Sequence, residues 1–233
     1  MDKKLIIEEF DKRISFNQED LKLLKGLLEL IEYLNANNES ELIIEKKELL
    51  KKFSEESLNG HFDKIISICS LTKISKIELY IISKHFFLSK YSWEKLYFLR
   101  VAILNIYETI NTYNKYSKKL KEISENKPHL PLTFAELGTK LRQFKKQNNF
   151  DTKMGNVRNT TIGHISMDYN KYYTDVKSID SKEILEMIYK FISILDEIYD
   201  YSILCLLNKP MDDKIEINEV YYKIRQLIEE SIC

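Results

Sequence analysis

Turn-making residues are scarce in this chain: five Gly and three Pro stand among 233 residues. An average protein carries roughly one Gly or Pro in every eight. Sandwiches, barrels and folds with Gly-rich nucleotide loops need many such residues, because Gly takes φ > 0 freely and Pro presets a turn. Apolar residues instead recur at steps of three and four along most of the chain, the period of a helix with one buried face. The expected fold class is therefore all-α. A hydrophobic content of 44% with 31% charge suits a globular protein and is too apolar for disorder.

Asn17 and Asp20 look like the start of a helix whose apolar face is Leu21, Leu24, Leu27, Leu28, Ile31 and Leu34. Residues 41–53 repeat the pattern, and Asn59-Gly60 breaks it. Two shorter helices are expected near residues 61–70 and 75–88, then a long one over 92–124 with a kink or an early end. Thr133 and Glu136 have capping-box spacing and open a helix over 134–147. Asn148-Asn149 closes it. A short helix is expected at 152–162 and a Tyr- and Asp-rich loop at 166–179. Asp180 and Glu183 then cap a strongly amphipathic helix reaching about Leu207, and Asn218 could cap a last one. The weak break at 89–92 divides the chain into an N-terminal helical region, 1–88, a helical domain, 89–208, and a C-terminal helical tail, 209–233.

Lys plus Arg equals Asp plus Glu at 36 each, which argues against a general electrostatic coat for nucleic acid. Three Cys cannot make a disulfide framework; Cys69 and Cys205 lie in apolar runs, and none has metal-ligand spacing. Met1 to Phe10 meets charge at once, unlike a secretory signal. No stretch approaches the ~20 apolar residues of a membrane span. The expectation is a cytoplasmic protein with no membrane partner, no cofactor and no metal.

Phosphate loops, HExxH and GxSxG are absent from the sequence. His61, His85 and His129 are isolated. His164 has company: Arg158-Asn159-Thr-Thr-Ile-Gly163-His164. Six residues on a straight helix would put Arg158 and His164 on different faces. Gly163, just past a helix end, allows a left-handed turn that folds His164 back toward Arg158. The partial negative charge at that end would favour protonated His164. A His that exchanges protons beside an Arg that holds charge suits phosphoryl chemistry. The plain alternative is a surface Arg and a packing His near a helix end.

These residues resemble the HEPN superfamily (higher eukaryotes and prokaryotes nucleotide-binding), whose signature is Arg, a polar residue, a short spacer and His. The resemblance covers roughly residues 90–208. It implies a HEPN-like four-helix bundle over 92–124, 134–147, 152–162 and 180–207, with additional N-terminal helices. It also implies a metal-independent endoribonuclease of a bacterial toxin–antitoxin or antiphage system, acting on RNA as a homodimer with two motifs in one site. Arg158 and His164 would then be catalytic, and Asn159 would orient the phosphate or the His. An antitoxin or another defence-system protein is an implied partner. The other reading is a HEPN module that binds without cleaving.

Charge placement points the same way. Residues 139–158 carry six cations against Asp151, net +5, whereas residues 179–200 are net −4. Lys145, Lys146 and Lys153 are thus candidate RNA contacts leading into the motif. Tyr169, Tyr172 and Tyr173 are candidates for base stacking.

Overall fold

A computed structural model describes residues 3–36, 62–125, 127, 130, 134–158, 169–177 and 179–206. Among these the chain is helical, with no strand. The helices are α1 (Lys3–Ala36), α2 (Phe62–Leu88), α3 (Ser92–Glu125), α4 (Phe134–Gln147), α5 (Gly155–Val157), α6 (Tyr169–Lys177) and α7 (Ser181–Leu206). A π-turn, Phe150–Met154, joins α4 to α5. None of them is long and apolar enough to cross a membrane.

α2, α3 and α7 pack against one another; α1 lies along α2, and α4 rests on α7. One core runs through them all, from Leu24 and Ile31 through Ile65, Leu79, Leu99 and Ile106 to Phe144, Phe191 and Tyr201. It spans the 89–92 break, so α2 shares its interior with the helices that follow. α1 runs antiparallel to α2: Phe10 stacks on Phe87, Asp11 pairs with Lys84, and Asp20 pairs with Lys73 at 2.5 Å.

Asn17 and Asp20 therefore do not start a helix. They lie in the interior of α1 and are buried. Asn17 donates from Nδ2 to the carbonyl of Arg13, and Asp20 receives the Lys73 ammonium. For Asp20 a partner from another helix outweighs the capping preference, and Asn17 bonds back within its own helix instead. Likewise the two helices expected at 61–70 and 75–88 are one, α2. The stretch left between them, residues 71–74, is helical too. Inside the fold Thr72 bonds back to the Cys69 carbonyl, Lys73 meets Asp20, and Ser75 donates to Asn105 of α3 at 2.7 Å. α3 continues through all 34 residues, about 50 Å at ~1.5 Å per residue.

α4 has the expected bounds, and Asn149 ends it in the left-handed conformation, φ 47°. The segment expected as a loop at 166–179 contains a helix, α6. Its hydrophobic signal is short, and among its described side chains only Val176 is fully buried. Asp180 caps α7 as expected: its Oδ1 accepts the N–H groups of Lys182 and Glu183 at 2.7 and 3.1 Å. Cys69 and Cys205 are buried free thiols. Burial pushes the Cys69 pKa up, so it stays an unreactive thiol. The elements expected at 41–53 and after Asn218 lie outside the described residues.

Candidate active site around Arg158

The chain reaches Arg158 through two tight turns. Asn149 reverses it after α4, and the π-turn widens the next loop of helix. That turn buries Phe150 and Met154. Phe150 stacks on Tyr107 of α3, with centroids 4.7 Å apart and planes 11° apart. This anchor fixes the π-turn to α3 and delivers Arg158 alongside Glu108, the next residue of that helix.

Arg158 donates to a single carboxylate oxygen, Glu108 Oε1, from both Nε and Nη2, each at 3.0 Å. Its guanidinium also lies 5.8 Å from the centre of the Tyr107 ring. On the other side of the stacked pair, Lys145 Nζ lies 4.8 Å from the Phe150 ring centre. Two cations thus flank a Tyr107–Phe150 stack, one from the motif and one from α4. Rings between cations lower the repulsion between them, since each π face is negative.

Lys145 and Lys146 occupy the last turn of α4, as expected. Together with Arg142, Asn149, Phe150, Asp151 and Thr152 they line a shallow cleft of about 400 Å³. Cations at a helix C-terminus are favoured by the partial negative charge of the unpaired carbonyls. Asp151 lies 3.7 Å from Lys145 and tempers the patch. Lys153 belongs to the π-turn, with its side chain outside the described ones. Asn159 and His164 lie outside the described residues. The structure therefore sets Arg158 and Lys145 on the two rings of the Tyr107–Phe150 stack, with Lys146 beside Lys145 in the cleft.

Of the loop tyrosines, Tyr172 takes a hydrogen bond from Arg100 Nη1 at 2.6 Å, which ties α6 to α3. Tyr173 is part-exposed with Lys177 over its ring at 4.6 Å. The tyrosines expected in a loop thus belong to a helix, with Tyr172 committed to packing. Tyr169 has its side chain outside the described ones.

Sequence reasoning missed Glu108 and Tyr107. Glu108 is 50 residues from Arg158, and no local spacing connects them. Arg142 was counted in the basic stretch but not singled out; its position three residues before Lys145 puts both on one helix face. Compared with family models, with curated proteins and with solved structures, the chain matches none.

Proposed function

We propose that this chain is a metal-independent endoribonuclease of the HEPN type, belonging to a bacterial toxin–antitoxin or antiphage defence system. The observation that carries the reading is Arg158-Asn159 followed by His164 in a helical chain, with Arg158 part-exposed against Glu108 of α3 and a basic cleft beyond the Tyr107–Phe150 stack.

In this reading the RNA 2′-oxygen attacks the adjacent phosphorus, the bond to the 5′-oxygen breaks, and a 2′,3′-cyclic phosphate and a 5′-hydroxyl result. His164 exchanges the proton that leaves the 2′-hydroxyl or the one that reaches the 5′-oxygen. Arg158 holds the charge that builds on the phosphate oxygens. Lys145 and Lys146, joined by Lys153, hold the RNA backbone, and Asn159 orients its neighbours. Because one Arg and one His are few groups for both tasks, two chains pair so that two motifs serve one cytoplasmic RNA site. An antitoxin or another defence protein restrains it.

One observation favours a second reading, a non-catalytic HEPN module in a defence complex that binds a partner or a nucleotide. Arg158 is already engaged by Glu108 in the single chain, as a structural salt bridge would be. Growth inhibition and cleavage of an unstructured RNA oligonucleotide in excess EDTA separate the two, with wild type set against His164→Ala at matched fold. The nuclease reading expects cleavage in EDTA and its loss in the variant. Equal cleavage by both proteins would leave the binding module as the better account.

A further inference from the structure

The inward side of α3 buries Leu99, Ala102, Ile103 and Ile106. Its opposite side, read at steps of four and three, carries Trp93, Tyr97, Arg100, Leu104 and Glu108. Trp93 is 53% and Tyr97 52% exposed, and residues four apart on a helix are neighbours. Two large rings thus stand together in water, on the side where an amphipathic helix ordinarily shows charge. One turn further, Arg100 is held in place. Its Nη1 donates to the Tyr172 hydroxyl at 2.6 Å, and the guanidinium lies 6.0 Å from the Tyr97 ring centre and 5.8 Å from that of Tyr172. Arg100 Nε has no acceptor among the described residues. At the far end of the same face Glu108 holds Arg158. Trp93 and Glu108 are about 22 Å apart along the axis at ~1.5 Å per residue.

We propose that this face of α3 is a track for single-stranded RNA. Unpaired bases stack on Trp93 and Tyr97, Arg100 meets the backbone that follows, and the strand reaches Arg158 with its scissile phosphate. The choice of RNA rests on the nuclease reading; the place of the track rests on α3 itself. Three features choose this occupant. Exposed aromatic faces stack on bases of any sequence, and only an unpaired strand has bases free to splay onto them. Arg100 offers a planar cation whose orientation Tyr172 fixes in advance, so little side-chain freedom is lost on meeting a phosphate. An apolar peptide would suit the rings and leave that cation without an anion. Finally, the track runs on into cations already described: past Arg158, Lys145 stands on the other ring of the Tyr107–Phe150 stack. At ~3.4 Å per stacked nucleotide, the stretch from Trp93 to Glu108 takes about six.

Trp93 is the only tryptophan of the chain, so its fluorescence reports on the track directly. The full chain is titrated with an oligouridine carrying 2′-O-methyl groups, which lacks the attacking hydroxyl. Trp93 emission should be quenched to saturation, and the same strand paired in a duplex should quench it little. Tyr97→Ala should weaken binding about tenfold, as the loss of one stacked base does, with the helical circular dichroism of wild type because the ring is exposed. Arg100→Gln should lower the log–log salt slope by about 0.7, the share of one single-strand phosphate. Tyr33→Ala, an exposed ring on α1, should change nothing. Silent Trp93 emission, equal quenching by the duplex, or wild-type binding by Tyr97→Ala would each overturn the track. The nuclease reading is judged separately, by cleavage in EDTA. If that cleavage is lost in His164→Ala while Trp93 stays silent, the nuclease stands and the track falls. If Trp93 and Tyr97 respond as expected while His164→Ala cuts like wild type, the track stands and the nuclease reading fails.

Discussion

Two ion pairs in this molecule have similar partners and opposite settings. Lys73 and Asp20 meet at 2.5 Å with side chains only 5% and 7% exposed. Arg158 and Glu108 meet at 3.0 Å with side chains 43% and 48% exposed. The first lies between α1 and α2, under the ring of Tyr199, whose centre is 3.6 Å from the ammonium. The second lies against the middle of α3, in contact with water. A charge taken out of water must keep its partner, so the first pair ties helices together and is unavailable to a ligand. A pair in water costs little to open, and the proposed nuclease asks the second to exchange its carboxylate for a phosphate. Position in the fold, rather than residue type, separates an ion pair that must stay closed from one that water reaches.

The largest expected effect breaks the comparison on the chemical side. Arg158→Ala should lower RNA cleavage by about 10²–10³-fold, the usual result of losing one electrostatic donor to the reacting phosphate. Arg158→Lys should rescue poorly, because the planar fork is lost. Asn159→Ala should be milder. Thermal unfolding should barely move, since the pair is part-exposed. A cleavage rate unchanged in Arg158→Ala would remove Arg158 from the site.

The buried pair should show the opposite pattern. Asp20→Ala leaves the Lys73 ammonium without its partner in the interior and should destabilise the protein by about 3–5 kcal/mol. Replacing both residues together, Asp20→Leu with Lys73→Met, should recover most of that loss. Denaturant unfolding of the single and double variants measures it. If Asp20→Ala unfolds like wild type, water reaches the pair and the contrast with Arg158 disappears.

A pH series sharpens the same contrast. Burial pushes the Lys73 pKa below its ordinary value, and Asp20 only partly opposes this. Between the folded pKa and the unfolded value of about 10.4, the unfolded chain holds more protons than the folded one. Stability therefore rises with pH through that window, and the full penalty applies below it. Relative to Lys73→Met, wild type should gain stability as pH rises from neutral toward 10, measured by denaturant midpoints. A flat difference would show that Lys73 is not desolvated as its position implies.

How far the sequence foretold these sites follows from the range of each interaction. The all-α class, the bounds of α4 and the Asp180 cap depend on contacts within a few residues, and the residue pattern carries them. Asp20, Lys73 and Ser75 were misread because their partners come from another helix. Nothing local distinguishes an Asp that caps from an Asp that awaits a lysine 53 positions later. α6 escaped notice because nine residues offer too few turns for a periodic signal. At the candidate site, the basic stretch and Arg158 could be read from the chain, whereas Glu108 and Tyr107 could not. Both come from α3, brought there by the Tyr107–Phe150 stack.

The smallest expected stability effect belongs to Glu108. An exposed ion pair contributes at most about 1 kcal/mol, so Glu108→Gln should shift the melting temperature by no more than about 2–4 °C in a chain of this size. Its consequence for ligand should be the larger one. Glu108 Oε1 holds two donors of the Arg158 fork, the same edge that would take two phosphate oxygens. Gln keeps the shape and removes the competing charge. RNA binding by Glu108→Gln, measured with a non-cleavable oligonucleotide, should therefore be tighter than wild type and still weaken steeply with salt, because Lys145 and Lys146 keep their share of the contacts. Weaker binding in this variant would mean that the carboxylate positions Arg158 for RNA rather than competing with it. Unchanged binding, with Arg158→Ala also unchanged, would make this pair a structural clasp and return it to the company of Lys73 and Asp20.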